Sequence, residues 1–206
     1  MPATARPSAS AARRNACSPS VGRCVARCGG GRGRAPRINS RAVDPVSSSI
    51  VVGKPREQVF EYLADIANHA EFTDHFLTDW HLTRENSYGA GAGARFRVKA
   101  PLQRFNWADV TLIEVEPTHR IVEAGRAGKF NRVRTLTTYT LTPAPGSATR
   151  VELTIESEPA TLSDRLLESL GSRPWFRRQQ GKALRRLRKI LEDDEGRGQR
   201  ATIAGL

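Results

Sequence analysis

Between residues 78 and 157 the chain presents six segments of strand composition, at 78–85, 94–100, 105–115, 120–125, 133–142 and 149–157. The pieces joining them are too short to hold a crossover helix, so neighbours in sequence must be antiparallel neighbours in space. The joints carry turn chemistry: Gly89-Ala90-Gly91-Ala92-Gly93, Glu116-Pro117-Thr118-His119, Ala127-Gly128-Lys129 and Pro143-Ala144-Pro145-Gly146-Ser147. Alternation is clearest in two strands. Val133, Thr135, Thr137, Tyr139 and Leu141 share one face, and Val151, Leu153 and Ile155 share another, opposite Arg150, Glu152, Thr154 and Glu156. Such a sheet has one wet face and one that something must cover.

The flanking segments supply the cover. Ser48 to Gly53 is β-branched and runs into Lys54-Pro55, which reads as a seventh strand entering a helix with Pro55 at its first position. Val59, Phe60, Leu63 and Ile66 recur at helical spacing, and a second short helix is expected over 68–75. The last long element opens on Thr161 and Asp164, a capping box, with Leu162, Leu166 and Leu170 beginning an apolar stripe. Gly171 and Pro174 should kink it. The stripe resumes through Phe176, Ala183, Leu184, Leu187, Ile190 and Leu191. Residues 193–206 are polar and interrupted by glycine, so a frayed tail is expected. The expected fold is α+β: a curved seven-stranded antiparallel sheet wrapped around a long C-terminal helix, with two short helices after strand 1. Thr111, Thr135, Thr137, Ala94 and Ser157 are small for an interior, which points to a cavity.

Charge is unevenly spread. The chain carries 33 Lys and Arg against 21 Asp and Glu, a net charge of +12. Nine of the arginines lie in residues 1–42, which contain no acid, and the rest of the chain holds 24 basic against 21 acidic residues. That leader has too few large apolar residues to offset the entropy of ordering and is expected to be disordered. Its composition suits an organelle transit peptide, but a false start upstream of a true one near Val43 or Val46 is the favoured reading. Its Cys17, Cys24 and Cys28 lack the fourth ligand of a structural zinc site. No metal and no cofactor are expected. No secretory core and no run long enough to span a bilayer is present. The expectation is a cytoplasmic protein, or an organelle-targeted one if the leader is a genuine transit peptide.

The segment from Ser49 to Asp65, the Gly-Ala-Gly-Ala-Gly hairpin before Arg95-Phe96-Arg97-Val98, the stretch Val115-Glu116-Pro117-Thr118-His119-Arg120-Ile121-Val122 and Tyr139-Thr140-Leu141-Thr142-Pro143 together resemble the SRPBCC superfamily. This helix-grip group includes START lipid-transfer domains, the birch-pollen allergen type and polyketide cyclase/dehydrase proteins. The resemblance covers one domain, residues 46–192. It implies a hydrophobic or partly polar small molecule, lipid or polyketide-like, held between the sheet and the last helix. No catalytic set carries over.

Residue chemistry narrows this further. There is no P-loop, no G-x-S-x-G elbow and no cysteine in the folded part. Of the four histidines, His69, His75, His81 and His119, none is spaced as a helical zinc pair, and ordinary surface or core roles are expected for them. Continuing the alternation back from Val115 through Ile113 and Thr111 puts Asp109 on one face with Trp107 and Phe105, unless a bulge intervenes. An acid inside would have a raised pKa and could move protons at an enolisable ligand. Asp109 and Tyr139 are therefore the catalytic candidates, with Glu123 beside them. The ligand-binding candidates are Phe96, Trp107, Asp109, Glu123, Thr137, Tyr139, Leu166 and Leu170. Binding or carriage of a hydrophobic molecule is the first functional expectation. A polyketide cyclase, aromatase or dehydratase is the alternative, and it is the reaction class expected if the chain is an enzyme. Eight basic residues between Arg173 and Lys189 form either a solvated outer face, the favoured reading, or a surface for membrane or nucleic acid. Peripheral membrane contact is thus an open partner; specific nucleic-acid binding is not expected.

Overall fold

A computed structural model describes residues 43–100, 106–158 and 173–203. Eight strands form one sheet, with β1 at Val43–Val52, β2 at Leu77–Leu82, β3 at Gly93–Val98 and β4 at Trp107–Glu116. The others are β5 at Arg120–Ala127, β6 at Val133–Ala144, β7 at Ala148–Glu158 and β8 at Thr202–Ile203. The order is β1-β7-β6-β5-β4-β3-β2-β8, antiparallel except where β8 runs parallel to β2. Helix α1 spans Arg56–Ala64, a 3₁₀ turn Ile66–Asn68, α2 His69–Thr73 and α3 Arg173–Asp193. This is the expected helix-grip arrangement with one more strand.

Strand parity builds the interior. Inward positions pair across neighbours as Ile121 with Tyr139, Glu123 with Thr137, Gly125 with Thr135 and Ala127 with Val133. On β1 the same alternation buries Val52 and leaves Val51 exposed. Pro55 is the N-cap of α1 rather than its first residue, its carbonyl accepting from the Val59 amide at 3.2 Å. Helix α1 buries Val59, Phe60, Leu63 and Ala64, and α3 buries Gln180, Ala183, Leu184, Leu187 and Ile190. Pro174 lies in the first turn of α3, where its missing N–H leaves no bond unmade. Arg177, Arg178, Lys182, Arg185, Arg188 and Lys189 are exposed, the solvated face of that helix.

Two expectations need correction. The tail is not frayed as far as Ile203: the Gly198 amide donates to Glu71 O and the Ala201 amide to Ala67 O, both at 3.0 Å, before β8 joins the sheet edge. A short run of suitable backbone and a bare edge suffice for pairing, whatever the polarity of the sequence. Thr111 does not face inward, because the register of β4 against β5 shifts between Leu112 and Glu114. Val110 and Leu112 are buried in its place. The leader 1–42, Phe105, the capping box Thr161/Asp164, Leu162, Leu166, Leu170 and Gly171 lie outside the described residues.

Candidate functional site

The inward face of the sheet, α2 and α3 enclose a cavity of about 200 Å³. Its wall is chiefly apolar: Phe72 and Phe76 from one side, Phe96, Val110 and Ile155 from the sheet, Phe176 and Ala183 from α3. Space remains because small residues stand where large ones would fill it. A Cβ on Gly125 would collide with Thr135 Oγ1, so the Thr135 side chain occupies the space a larger residue at 125 would need.

One end of the cavity is polar, and local structure puts it there. Asp65 caps the 3₁₀ turn by accepting from the Ala67 amide at 3.1 Å, and Asn68 Nδ2 donates to Tyr62 O at 3.0 Å. These bonds fix the entry to α2, whose first residue is His69, 2 % exposed. Its Nε2 donates to Leu63 O at 2.8 Å, which fixes a proton on that nitrogen. Nδ1 lies 2.9 Å from Glu123 Oε1, a buried ion pair. Beyond this contact Oε1 has no hydrogen-bond partner among the described residues. Burial alone would lower the His69 pKa, but the Glu123 charge, its contact with the ring and the Leu63 carbonyl together hold it above the ordinary 6.5.

Tyr139 completes the group, its ring 5.5 Å from that of His69 in an edge-on contact. It is 4 % exposed, and burial first, then the nearby Glu123 charge, pushes its hydroxyl well above the usual phenol range. The hydroxyl therefore stays protonated at neutral pH. Two further polar atoms on the wall, Trp80 Nε1 and Gln180 Nε2, are buried without hydrogen-bond partners among the described residues. Such groups cost free energy unless something else satisfies them.

The sequence-based candidates divide accordingly. Phe96, Glu123, Thr137 and Tyr139 line the cavity. Trp107 does not: it is 42 % exposed on the outer face, with the Arg97 guanidinium 5.2 Å from its ring centre. Asp109 borders the cavity, but its carboxylate turns outward to Arg95, at 2.5 and 3.0 Å, and accepts from Asn131 at 3.4 Å. The hydrogen bonds from Arg95, outweighing partial burial, hold its pKa below the usual carboxylate value, the opposite of a proton-transfer acid. The bulge between Leu112 and Glu114 is the cause, since parity counted back from Val115 inverts on crossing it. Sequence reasoning misses His69, Trp80 and Gln180 as site residues. Trp80 turns inward only because β2 is itself irregular between Thr78 and His81, with Asp79 at φ 53°. His75 Nε2 contacts Gln179 O at 3.3 Å.

Residues 45–192 match the family described as polyketide cyclase/dehydrase and lipid transport. The chain belongs to that family, within the SRPBCC superfamily. No curated protein matches it. Solved structures agree on the fold. KanY is 17% identical with a TM-score of 0.58, the match covering 72% of this chain and 97% of KanY. The protein TTHA0849 from Thermus thermophilus is 16% identical with a TM-score of 0.57, covering 73% and 99%. Truncated norcoclaurine synthase from Thalictrum flavum is 11% identical with a TM-score of 0.57, covering 77% and 98%. At these identities the likeness concerns the fold alone. The family gives a general function of hydrophobic-ligand binding or cyclase type. No helix among the described residues is long and apolar enough to cross a membrane.

Proposed function

We infer that the protein binds or carries a small hydrophobic molecule bearing at least one oxygen, with its apolar body against Phe72, Phe96 and Phe176. The observation that carries this reading is the cavity of about 200 Å³ whose apolar wall ends in the buried His69–Glu123 pair and Tyr139. Pockets for drug-sized molecules run to about 300–1,000 Å³, so the volume favours a compact ligand. The Tyr139 hydroxyl and the Trp80 and Gln180 N–H groups are donors suited to a carbonyl or hydroxyl oxygen of that ligand. Native mass spectrometry of protein from its own host tests for a co-purified molecule, and displacement of a solvatochromic dye tests the cavity directly. Absence of both a co-purified mass and dye binding would rule the reading out.

A second reading, a cyclase or dehydratase, is favoured by one observation: Glu123 stands at the polar end of the cavity with Oε1 2.9 Å from His69 Nδ1 and no other hydrogen-bond partner for that oxygen among the described residues. There it is suited to take a proton from a carbon next to a carbonyl, with Tyr139 donating to the carbonyl oxygen as it gains charge. Glu123→Gln and Tyr139→Phe should then each lower turnover at least about a hundredfold, the usual scale of general acid–base catalysis. Unaltered turnover in both variants, with dye binding retained, leaves the carrier reading alone.

A further inference from the structure

At one end of the sheet, where β4 begins, β5 ends and β6 begins, the surface is aromatic and basic. The β5–β6 connection holds Phe130 82 % exposed, and Trp107, 42 % exposed, begins β4 beside it. The register places Ala108 opposite Ala127, so Trp107 lies level with the loop. Phe130 and the following Asn131 both take left-handed conformations, φ 58° and 54°. For a bulky aromatic that conformation is unfavourable, and here it brings no burial in return. Asn or Gly would fit this backbone better, and the Lys129 ammonium stands 5.2 Å from the ring centre.

Charge points the same way. Arg126, Lys129, Arg132 and Arg134 are all exposed around the ring, and the stretch from Ala124 to Thr142 contains no acid. Arg126 and Arg134 stand directly opposite each other on β5 and β6, with Asp109 and Glu158 as their cross-strand neighbours on the other sides. The nearby carboxylates of Asp109 and Asp79 are engaged by Arg95 and Arg97. Arg126, Arg132 and Arg134 make no ion pair among the described residues. The strands carrying this loop end in Ala127 and Val133, both on the cavity wall.

We propose that this sheet end is a docking surface for an anionic lipid bilayer, with Phe130 and Trp107 entering the headgroup boundary and the arginines meeting lipid phosphates. Aromatic side chains at the interface and cations against anionic headgroups are the two contributions such binding needs. The surface adjoins the cavity, so docking brings the wall of the ligand site to the membrane. The docking itself does not depend on what the cavity holds.

The test is co-sedimentation of the full chain with phosphatidylcholine vesicles, with and without phosphatidylglycerol, over a range of salt. Phe130→Asn keeps the left-handed backbone and removes the ring. Arg126→Gln with Arg134→Gln removes two exposed charges that oppose each other, and melting curves confirm that both variants fold. Expected is binding to the anionic vesicles only, weakened about tenfold or more by Phe130→Asn, the scale of burying one aromatic side chain. The double substitution should weaken binding and flatten its salt dependence. Failure to bind, equal binding to neutral vesicles, or binding that neither variant alters overturns the proposal; the last outcome would trace attraction to the Arg-rich leader or the basic face of α3. Preference of the same residues for an oligonucleotide, with vesicle binding unaffected by either variant, overturns it too.

Discussion

His69 and Glu123 make stability depend on pH in a direction that can be worked out. The folded-state pKa of His69 is raised, so the pair contributes stability that is fully present below the ordinary 6.5 and is lost as pH rises through the folded value. Melting temperature should fall across that window. With Glu123→Gln the opposing charge is gone and burial favours the neutral ring, so the dependence reverses and stability rises as pH passes upward through the same region. Thermal melts of both proteins from mildly acidic to mildly alkaline pH decide this, and parallel curves would show that the pair is not coupled. Gly125 is the other telling residue. The Cβ added by Gly125→Ala would run into Thr135 Oγ1, and the collision should cost about 1–3 kcal/mol, read from urea denaturation. Pairing it with Thr135→Ala, which clears the space, should restore most of the loss.

Among the elements, the segment after α3 contributes most beyond its length. Arg197 Nη1 pairs with the buried Glu71 at 2.9 Å, Tyr62 donates to the same carboxylate at 2.8 Å, and Arg200 reaches Asp65. This strap holds the turn and α2, and so the position of His69. A chain ending at Asp193 would lose the β8 pairing and leave Glu71 without its cation, a loss of about 1–3 kcal/mol. Gly198→Ala tests the same docking locally, since a Cβ there would lie 2.5 Å from Asp74 Oδ2 and 2.8 Å from Glu71 O. Both changes should lower the melting temperature and weaken dye binding together. A melting loss with unchanged dye affinity would separate the strap from the cavity. In α3, Leu187 is fully buried, and Leu187→Ala should cost about 2–5 kcal/mol by denaturant unfolding.

For the whole molecule, the decisive property is a core left incomplete by the size of its residues. Thr135 and Thr137 face the cavity from β6. Thr135→Leu with Thr137→Leu would fill part of about 200 Å³ with hydrocarbon, so the double variant should remain folded, melt no lower than the wild type and lose dye and ligand binding. A variant that still binds with unchanged affinity would place the ligand elsewhere.

The order of elements, the antiparallel pairing and the family were legible in the sequence, because short turns leave antiparallel neighbours little choice and alternation records which face is dry. Tyr139, Thr137 and Glu123 could be placed correctly, since β5 and β6 run in uninterrupted register from Arg120 to Ala127. Asp109 and Trp107 could not, because one bulge between Leu112 and Glu114 inverts parity along the rest of β4, and nothing local in the sequence marks it. His69 and Glu123 are 54 positions apart, and no pattern links them. Periodicity reports which face of an element meets the core, whereas which polar groups meet inside it is decided by packing of elements distant in sequence. The tail is the same case: its residues are too polar to declare a core, and only an unpaired sheet edge and the buried carboxylate of Glu71 gave them a place.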